Sequence, residues 1–169
     1  MGKVKKKVLV LGSSGMMGHI LVQHLINTNL YQVFNISKKT KINSETIICN
    51  ILSTEKLEDI ISDILPDFII NSIGILVKES EVNIKNAILI NSFFPHKLKE
   101  IANKFGSTVI HLSTDCVFNG VKGNYDENAI KSPIDIYGKT KDLGELLDNN
   151  HLTIRTSIIG PEIKDEGSG

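Results

Sequence analysis

Apolar residues follow two alternating patterns along the chain, and these patterns predict six strands separated by helices. Short apolar runs bounded by turn residues are typical of strands, whereas apolar positions three or four residues apart are typical of helices. The predicted strands lie at residues 8–11, 31–36, 45–49, 68–71, 108–112 and 152–155. The predicted helices lie between residues 18 and 27, and at 54–65, 84–105 and 137–147. Pro95 falls inside the third helix, so we expect a kink or two helices there.

This alternation predicts the α/β class, with a Rossmann-like doubly wound parallel sheet and helices on both faces. We expect one domain over residues 1–169. Ligands of such sheets bind beyond the carboxyl ends of the strands. Small and polar residues follow the predicted strands: Gly12, Ser37, Cys49–Asn50, Asn71–Gly74, Ser113–Thr114 and Thr156–Ser157. The sequence therefore predicts a binding crevice at that edge.

The stretch from Val8 to Gly18 predicts a strand, a glycine turn and the start of a helix. Gly12, Gly15 and Gly18 have the spacing Gly-x-x-Gly-x-x-Gly. Such a turn lets the backbone approach a ligand closely and directs helix N–H groups, with the positive end of the helix dipole, at a phosphate. Glycines also punctuate ordinary turns, so a turn without a ligand is the alternative interpretation.

Composition and charge narrow the class of protein. The chain is 41% hydrophobic and 22% charged, and none of its apolar runs approaches the roughly 20 residues that span a bilayer. Its net charge of 0 gives no reason to expect nucleic-acid binding. The lysines at 3–7 precede no long apolar segment of the secretory type, so we expect a cytoplasmic protein. Cys49 and Cys116 have no metal-ligand neighbours, and we expect them to be reduced.

Tyr137, Lys141 and Thr114 form a second signal, which is independent of the glycines. Tyr137 and Lys141 are four residues apart and share a helix face. The ammonium can stabilise a phenolate and so lower the tyrosine pKa from about 10 toward the range of a general acid. Thr114, at the end of a strand, can donate a hydrogen bond to a substrate carbonyl. The alternatives are a solvent-facing helix pair for the first two residues and a turn-forming hydroxyl for Thr114.

Six short blocks together resemble the extended short-chain dehydrogenase/reductase superfamily. They are GSSGMMG at 12–18, PDFIIN at 66–71, INSFFP at 90–95, STDCVFNG at 113–120, YGKTK at 137–141 and RTSIIGP at 155–161. The resemblance covers nearly the whole chain and points to the branch similar to dTDP-4-dehydrorhamnose reductase and related nucleotide-sugar reductases. Six blocks in the right order are far more specific than any one of them.

The resemblance implies a role for each candidate site residue. Tyr137 would pass a proton to a carbonyl oxygen, Lys141 would hold the nicotinamide ribose and tune Tyr137, and Thr114 would position the carbonyl. The glycine turn would cradle the pyrophosphate, and residues after the third and fourth strands would contact the adenosine and nicotinamide. These further cofactor contacts are Gly12, Ser14, Gly15, Met16, Met17, Gly18, Asn50, Ile51, Ile73 and Gly74.

The end of the second strand bears on which nicotinamide cofactor is preferred. NAD-selective sites place an Asp or Glu there, which accepts hydrogen bonds from the 2′-hydroxyl of the ribose. Here Ser37, Lys38 and Lys39 follow the strand, and the first acid is Glu45. A hydroxyl and two ammonium groups suit a phosphate dianion, so we expect NADP(H) to be preferred, with NAD(H) as the second option. The alternative is a surface loop in which both lysines touch nothing.

The chain departs from the superfamily pattern in three places. Cys116 stands where many members of the branch have Tyr, and Asn50 stands where a cofactor-contacting Asp is common. Members of the superfamily usually continue into a smaller substrate domain. We expect that domain to be absent from this chain and residues 160–169 to be the loop that enters it, in a protein shortened naturally or by design. Because that domain supplies most contacts to the sugar nucleotide, we expect the chain to bind cofactor but to turn over substrate poorly or not at all.

The resemblance implies an NADP(H)-dependent reductase, or an epimerase-type enzyme, that acts on a nucleotide-activated 4-keto-6-deoxy sugar for cell-surface polysaccharides. The alternative from another class is a non-catalytic NADP-binding subunit similar to the β subunit of methionine adenosyltransferase. A third hypothesis is a Rossmann domain whose crevice takes another ligand. The intact Tyr137, Lys141 and Thr114 favour the enzyme.

Related enzymes pair two helices with the same two helices of a second subunit, so a homodimer is a further expectation. In this sequence those helices are the region 84–105 and the helix from Tyr137, which we expect to be adjacent on one sheet face. The alternative is that Ile84, Ile88 and Leu98 are buried in the core of their own subunit.

Overall fold

The protein folds around a parallel sheet that, in the residues described by the computed structural model (4–158 and 160), contains six strands. They are β1 (Lys6–Leu11), β2 (Tyr31–Ser37), β3 (Thr46–Ile48), β4 (Phe68–Asn71), β5 (Thr108–Thr114) and β6 (Leu152–Thr156). Their spatial order is β3-β2-β1-β4-β5-β6. That order is the one found in dinucleotide-binding doubly wound folds, with a crevice where the chain crosses from one side of β1 to the other. It confirms the predicted fold class.

Helices cover both faces of the sheet. They are α1 (Met16–Thr28), α2 (Thr54–Ile64), α3 (Val77–Val82), α4 (Ile84–Ala87), α5 (Phe94–Lys104) and α6 (Ile136–Leu143). Alternate residues of β1 enter two separate hydrophobic clusters. Leu9 and Leu11 pack with residues of α2 and α5, whereas Val8 and Val10 pack with Val22 of α1. A strand buried on both faces explains why its sequence is an unbroken apolar run.

The region 84–105, for which a kink at Pro95 or two helices were predicted, contains three helical segments. A π-helix at Ile88–Phe93 joins α4 to α5, and Pro95 lies in the first turn of α5. In a continuous α-helix, Pro95 would leave the Asn91 carbonyl without its donor and would collide with it. The wider π turn accommodates the proline inside one helical run. The separate helix α3, just before this run, was not predicted.

Helix α6 is shorter than predicted, since it ends at Leu143 and not at Leu147. The apolar residues beyond it have helical spacing, but the backbone there forms hydrogen bonds with Thr153 of β6 and not with the helix. Its hydroxyl accepts from the Leu146 N–H at 2.9 Å and donates to the Leu146 carbonyl at 3.1 Å. Gly144 also lies so close to Asn91 that a Cβ atom would overlap the Asn91 carbonyl oxygen. The end of α6 is thus determined by tertiary contacts that helical periodicity cannot reveal.

The bounds predicted from sequence agree with the structure more closely for the strands than for the helices. The type and order of all six predicted strands are confirmed within the described residues, with ends displaced by one or two residues. β5 continues two residues past its predicted end, because its pairing with β6 extends to Thr114 opposite Thr156. The predicted loop at 160–169 lies outside the described residues, apart from Gly160.

Candidate active site

A cavity of about 700 Å³ opens at the carboxyl ends of the strands, where the sequence predicts a crevice. It extends from the β1–α1 turn to α6 and is bordered by the loop that follows β4. The predicted site residues that line it are Gly12, Ser14, Gly15, Met16, Met17, Ser37, Lys38, Asn50, Ile51, Ile73, Gly74, Tyr137 and Lys141. Three predicted residues are not part of this lining, namely Gly18, Lys39 and Thr114. The fold thus brings together residues from both independent sequence signals.

The glycine turn (residues 12–18) has a conformation and a packing that only glycine allows at two positions. Gly12 has a φ of +82°, and a Cβ atom there would lie 2.8 Å from Ile73. Gly18 lies outside the cavity, but a Cβ on it would overlap the Gly12 carbonyl oxygen. Gly12 therefore keeps the turn close to the loop after β4, and Gly18 seats α1 against the turn.

The N-terminal end of α1 lies at the cavity, and its backbone N–H groups have no side-chain cap. Gly15 is the N-cap and provides no side-chain cap, and the first turn carries no acidic residue. The first N–H groups of the helix and the positive end of its dipole therefore lack a partner from a capping side chain. Ser14, Gly15 and Met16 line the cavity at this point, so a phosphate fits the chemistry of this end of the site.

The residues after β2 are placed differently from one another. Ser37 is 1% exposed, and its hydroxyl donates to the Thr40 carbonyl oxygen. Lys38 is exposed and lines the cavity, whereas Lys39 is exposed and lies outside the lining. Of the two lysines, Lys38 alone is in position to meet a ligand in this cavity.

Asn91 of the π-helix holds the loop that borders the middle of the cavity. Its side-chain oxygen accepts from the Ile75 N–H at 2.8 Å, and its amide donates to the Ile75 carbonyl at 2.9 Å. The same amide donates to Thr140 of α6 at 3.1 Å. One buried side chain thus fixes the loop against α6, and the prediction that the two helical regions are adjacent is confirmed.

Tyr137 is largely buried, and its ionisation differs from the expectation. Burial raises the pKa of Tyr137, against a hydrogen bond with Thr114 that lowers it, and the nearby acidic groups Asp115 and Asp135 raise it further. The expected lowering of this pKa by Lys141 is therefore not what the structure shows. The hydroxyl stays in its acid form, which is the form that can give up a proton.

Lys141 is 3% exposed, so the interpretation of Tyr137 and Lys141 as a solvent-facing pair is wrong. Its Nζ atom donates to the Leu112 carbonyl at 2.6 Å. Burial lowers the pKa of Lys141 from 10.5 to about 8, although Glu145 acts to raise it. A buried amine with this pKa can change its charge near neutral pH.

Thr114 makes the local contacts of a strand-end hydroxyl as well as its contact with Tyr137. Its Oγ1 accepts from the Cys116 N–H at 3.1 Å and donates to Asp115 at 3.2 Å. It thereby caps the short 3₁₀ turn at Asp115–Val117. The turn-forming interpretation of Thr114 thus holds together with its position beside Tyr137.

A buried ion network ties the chain after α6 to the ends of β5 and β6. Glu145 accepts from Nε and Nη2 of Arg155, both at 2.8 Å, from Ser113 at 2.9 Å and from Lys131 at 3.1 Å. Lys131 also pairs with Asp142. Burial acts to raise the pKa of Glu145, but these hydrogen bonds outweigh it and the pKa is lowered. The network joins the segment beside Tyr137 to the edge of the sheet.

Some residues of the cavity were missed from sequence. Leu76, Val77, Lys78 and Glu79 line its mouth at the start of α3, and Ile90 reaches it from the π-helix. The apolar run at 73–77 has neither helical nor strand periodicity, so no pattern distinguishes it from a buried loop.

A second cavity of about 830 Å³ lies beside β6, with Phe118, Tyr125 and Arg155 in its wall. In the part of the chain that the structure describes, none of the predicted site residues lines it. Over the same described range, no helix is long and apolar enough to cross a membrane.

Comparison with known proteins agrees with this geometry. The chain is 32% identical over 143 residues to the dTDP-4-dehydrorhamnose reductase of Aggregatibacter actinomycetemcomitans, covering 83% of this chain and 46% of that protein. It is 28% identical over 150 residues to the methionine adenosyltransferase 2 subunit beta of Rattus norvegicus, covering 86% and 44%. It thus spans about half the length of the curated relatives it matches.

Solved structures show the same likeness. The dTDP-4-dehydrorhamnose reductase of Bacillus anthracis str. Ames, solved in complex with NADP, superimposes with a TM-score of 0.81 at 26% identity, over 92% of this chain and 54% of that one. The family described as the RmlD substrate binding domain matches residues 6–162. The chain therefore belongs to that family, within the extended short-chain dehydrogenase/reductase superfamily.

Proposed function

We propose that this chain binds NADP(H) in the 700 Å³ cavity and takes part in the reduction of a nucleotide-activated 4-keto-6-deoxy sugar. The observation that carries the proposal is the convergence of the glycine turn with Tyr137 and Lys141 on one cavity. The reduced nicotinamide would supply a hydride to the sugar carbonyl carbon. The similarity to dTDP-4-dehydrorhamnose reductases supports the substrate class.

The chemistry of the residues that line the site suits a dinucleotide. The uncapped start of α1 would hold the pyrophosphate, and Gly12 permits close approach at the turn. Asn50 and Ile51 would contact the adenosine, and Ile73 and Gly74 would border the path toward α6. The cavity volume falls in the range of small-molecule sites.

At the other end of the cavity, the chain's own groups would move one proton. Tyr137, held in the acid form by burial, would donate its phenolic proton to the carbonyl oxygen as negative charge develops there. Lys141 would hold the ribose hydroxyls, and its charged form would stabilise the resulting phenolate. Thr114, which acts on the Tyr137 pKa, would position the carbonyl.

The test is oxidation of NADPH by the chain with a 4-keto-6-deoxy nucleotide sugar, followed by reduced-nicotinamide fluorescence. Tyr137→Phe should lower turnover by about 10²–10⁴-fold, because it removes only the proton donor. NADPH affinity should change little. Tyr125→Phe is the matched control, since that hydroxyl bonds Asn119 on the exposed loop. A measurable wild-type turnover that Tyr137→Phe retains in full would refute the assigned role.

The second candidate is a non-catalytic NADP-binding subunit, and similarity to the rat methionine adenosyltransferase subunit favours it. It predicts saturable NADPH binding without reduction of any ketosugar, and co-elution with a methionine adenosyltransferase catalytic subunit. A Rossmann domain for another ligand predicts binding of neither nicotinamide cofactor. Assays of NADPH binding, ketosugar reduction and co-elution together therefore distinguish the three hypotheses.

We also propose a cytoplasmic homodimer. The free thiols of Cys49 and Cys116 agree with a reducing compartment.

Ile88 and Phe93 on the π-helix are 48% and 57% exposed, whereas Leu98 is fully buried in its own core. Ile88→Lys with Phe93→Lys should convert a dimer to a monomer in light scattering, and a monomeric wild type at micromolar concentration would contradict the proposal.

A further inference from the structure

His111 is a fully buried histidine on β5 that no step of the proposed reaction uses. Its ring lies between Asn71 of β4 and Lys141 of α6. The Asn71 Nδ2 atom is 3.1 Å from Nδ1 of the ring, and the Lys141 Nζ atom is 3.4 Å from Nε2. The proposed catalytic lysine is therefore linked through an imidazole to the centre of the sheet.

The protein backbone determines the orientation of the Asn71 amide. The Ile73 N–H donates to Oδ1 of Asn71 at 3.2 Å. If the amide were turned over, its NH₂ group would face that N–H, and two donors would oppose each other. Oδ1 therefore faces Ile73, and the NH₂ group faces His111.

This orientation selects one tautomer of His111. The Asn71 NH₂ group can only donate, so Nδ1 of the ring must accept and carries no hydrogen. Burial lowers the pKa of His111 well below its ordinary value, with Lys141 and His96 acting in the same direction, so the ring is neutral. A neutral imidazole with a bare Nδ1 carries its hydrogen on Nε2, which faces Lys141.

We infer that His111 is a positioning residue for Lys141, held by Asn71 as the Nε2–H tautomer so that it presents a donor, and not an acceptor, to the lysine amine. A neutral amine satisfies this arrangement completely. It donates one hydrogen to the Leu112 carbonyl and accepts from His111 with its lone pair. An ammonium group has no lone pair and would oppose the ring N–H. Only the role of Lys141 in this inference rests on the proposed function.

The consequence is that Lys141 is most easily charged when it leaves His111. An amine drawn toward a ligand in the cavity would escape the opposing N–H, so its pKa would rise. The low pKa of Lys141, which burial causes, agrees with this direction. In the structure the amine is engaged with Leu112, and the Tyr137 pKa is raised, not lowered.

Other titratable groups near Lys141 and His111 also shift the pKa values at this end of the cavity. Glu145, one turn further along the chain, raises the Lys141 pKa, and His96 of α5 lowers the His111 pKa. Asp115 and Asp135 raise the pKa of Tyr137. From α3, the Glu81 carboxylate accepts from the backbone at the start of α6, remote from the amine. The tautomer is thus imposed by a neutral side chain, Asn71, and not by a neighbouring carboxylate.

The first experiment determines the His111 tautomer by long-range ¹H–¹⁵N NMR of the imidazole rings. His151 is an internal reference, since its Nδ1 accepts from the Val109 N–H at 3.0 Å and its Nε2 lies 3.2 Å from Oδ1 of Asn103. We expect both rings to be neutral Nε2–H tautomers at pH 9, above the Lys141 pKa of about 8. A protonated His111, or an Nδ1–H tautomer, would overturn the inference without bearing on cofactor binding.

The second experiment reverses the tautomer and follows the Lys141 Nζ signal with pH. Asn71→Asp keeps the bond from Ile73 but offers the ring an acceptor, so the hydrogen should move to Nδ1 and Nε2 should accept from Lys141. The Lys141 midpoint should rise from about 8 by at least one unit, a tenfold change in proton affinity. Asn103→Asp adds the same charge beside His151 and should leave Lys141 unchanged. A switched tautomer with an unmoved lysine midpoint, or an equal rise in Asn103→Asp, would overturn the inference.

Discussion

The two ends of the cavity are constructed by different means. At the glycine turn, the ligand-facing groups are backbone N–H groups of a segment seven residues long. At the α6 end, Lys141 contacts His111 and the Leu112 carbonyl of β5, and Asn71 of β4 holds His111. Glu145, in the chain after α6, raises the Lys141 pKa. The ligand-facing groups at the first end belong to one short segment, whereas those at the second end are positioned by side chains far apart in the chain. The α6 end should therefore be more sensitive to substitutions remote from the cavity.

The largest effect is expected at Glu145, which touches no ligand. Its side chain is fully buried and accepts from Arg155, Ser113 and Lys131, so Glu145→Gln removes the carboxylate partner of Arg155 and leaves Lys131 paired with Asp142 alone. We expect the free energy of unfolding to fall by about 3 kcal/mol, the lower end for a broken buried pair, because both cations are partly exposed. Urea unfolding measures this. Glu100→Gln, in an exposed pair with Lys97, is the control and should change little.

The same network predicts a pH dependence of stability. Because the folded-state pKa of Glu145 is lowered, its stabilisation is complete above the unfolded-state pKa of about 4.3 and is lost as pH falls through the folded value. Glu145→Gln should lose this part of the acid sensitivity. Parallel stability curves for the two proteins between pH 3 and 7 would contradict it.

At the glycine turn, the expected loss is smaller and more local. Gly18→Ala would gain helix propensity, but its Cβ would overlap the Gly12 carbonyl oxygen, so we expect a net loss of about 1–3 kcal/mol in unfolding free energy. NADPH affinity should fall with it. Gly106→Ala meets no atom within 4 Å and should leave affinity unchanged, although its positive φ costs about 1 kcal/mol. A Gly18→Ala protein as stable and as tight-binding as wild type would show that the turn tolerates a side chain.

These differences explain what could be predicted from sequence. The glycine turn, β1 and the adjacent strands are specified by neighbouring residues, so their position was predicted within two residues. The pairing of His111 with Asn71 and Lys141 joins three elements, and no local pattern indicates it. Likewise, the end of α6 depends on Thr153. From helical spacing alone, α6 was predicted to end at Leu147, four residues beyond its observed end at Leu143.

The smallest predicted effect separates the two lysines after β2. Lys38 lines the cavity and Lys39 does not, so Lys38→Ala should reduce the preference for NADPH over NADH by about fivefold, equivalent to about 1 kcal/mol. Lys39→Ala should leave the preference unchanged. The contribution of Lys38 should weaken as salt is added, because the side chain is exposed. Equal effects of the two substitutions would assign the preference to general surface charge.

The most direct test of the account is a ¹H–¹⁵N NMR titration of the 169-residue chain with NADP⁺ and, separately, with NAD⁺. We predict saturable shifts at the backbone amides of Gly15 and Met16, at Gly74, and at the Lys141 amine, with tighter binding of NADP⁺. Such a pattern would place one ligand across both ends of the cavity. Absence of saturable shifts with either cofactor, or shifts confined to the second cavity around Phe118 and Arg155, would contradict it.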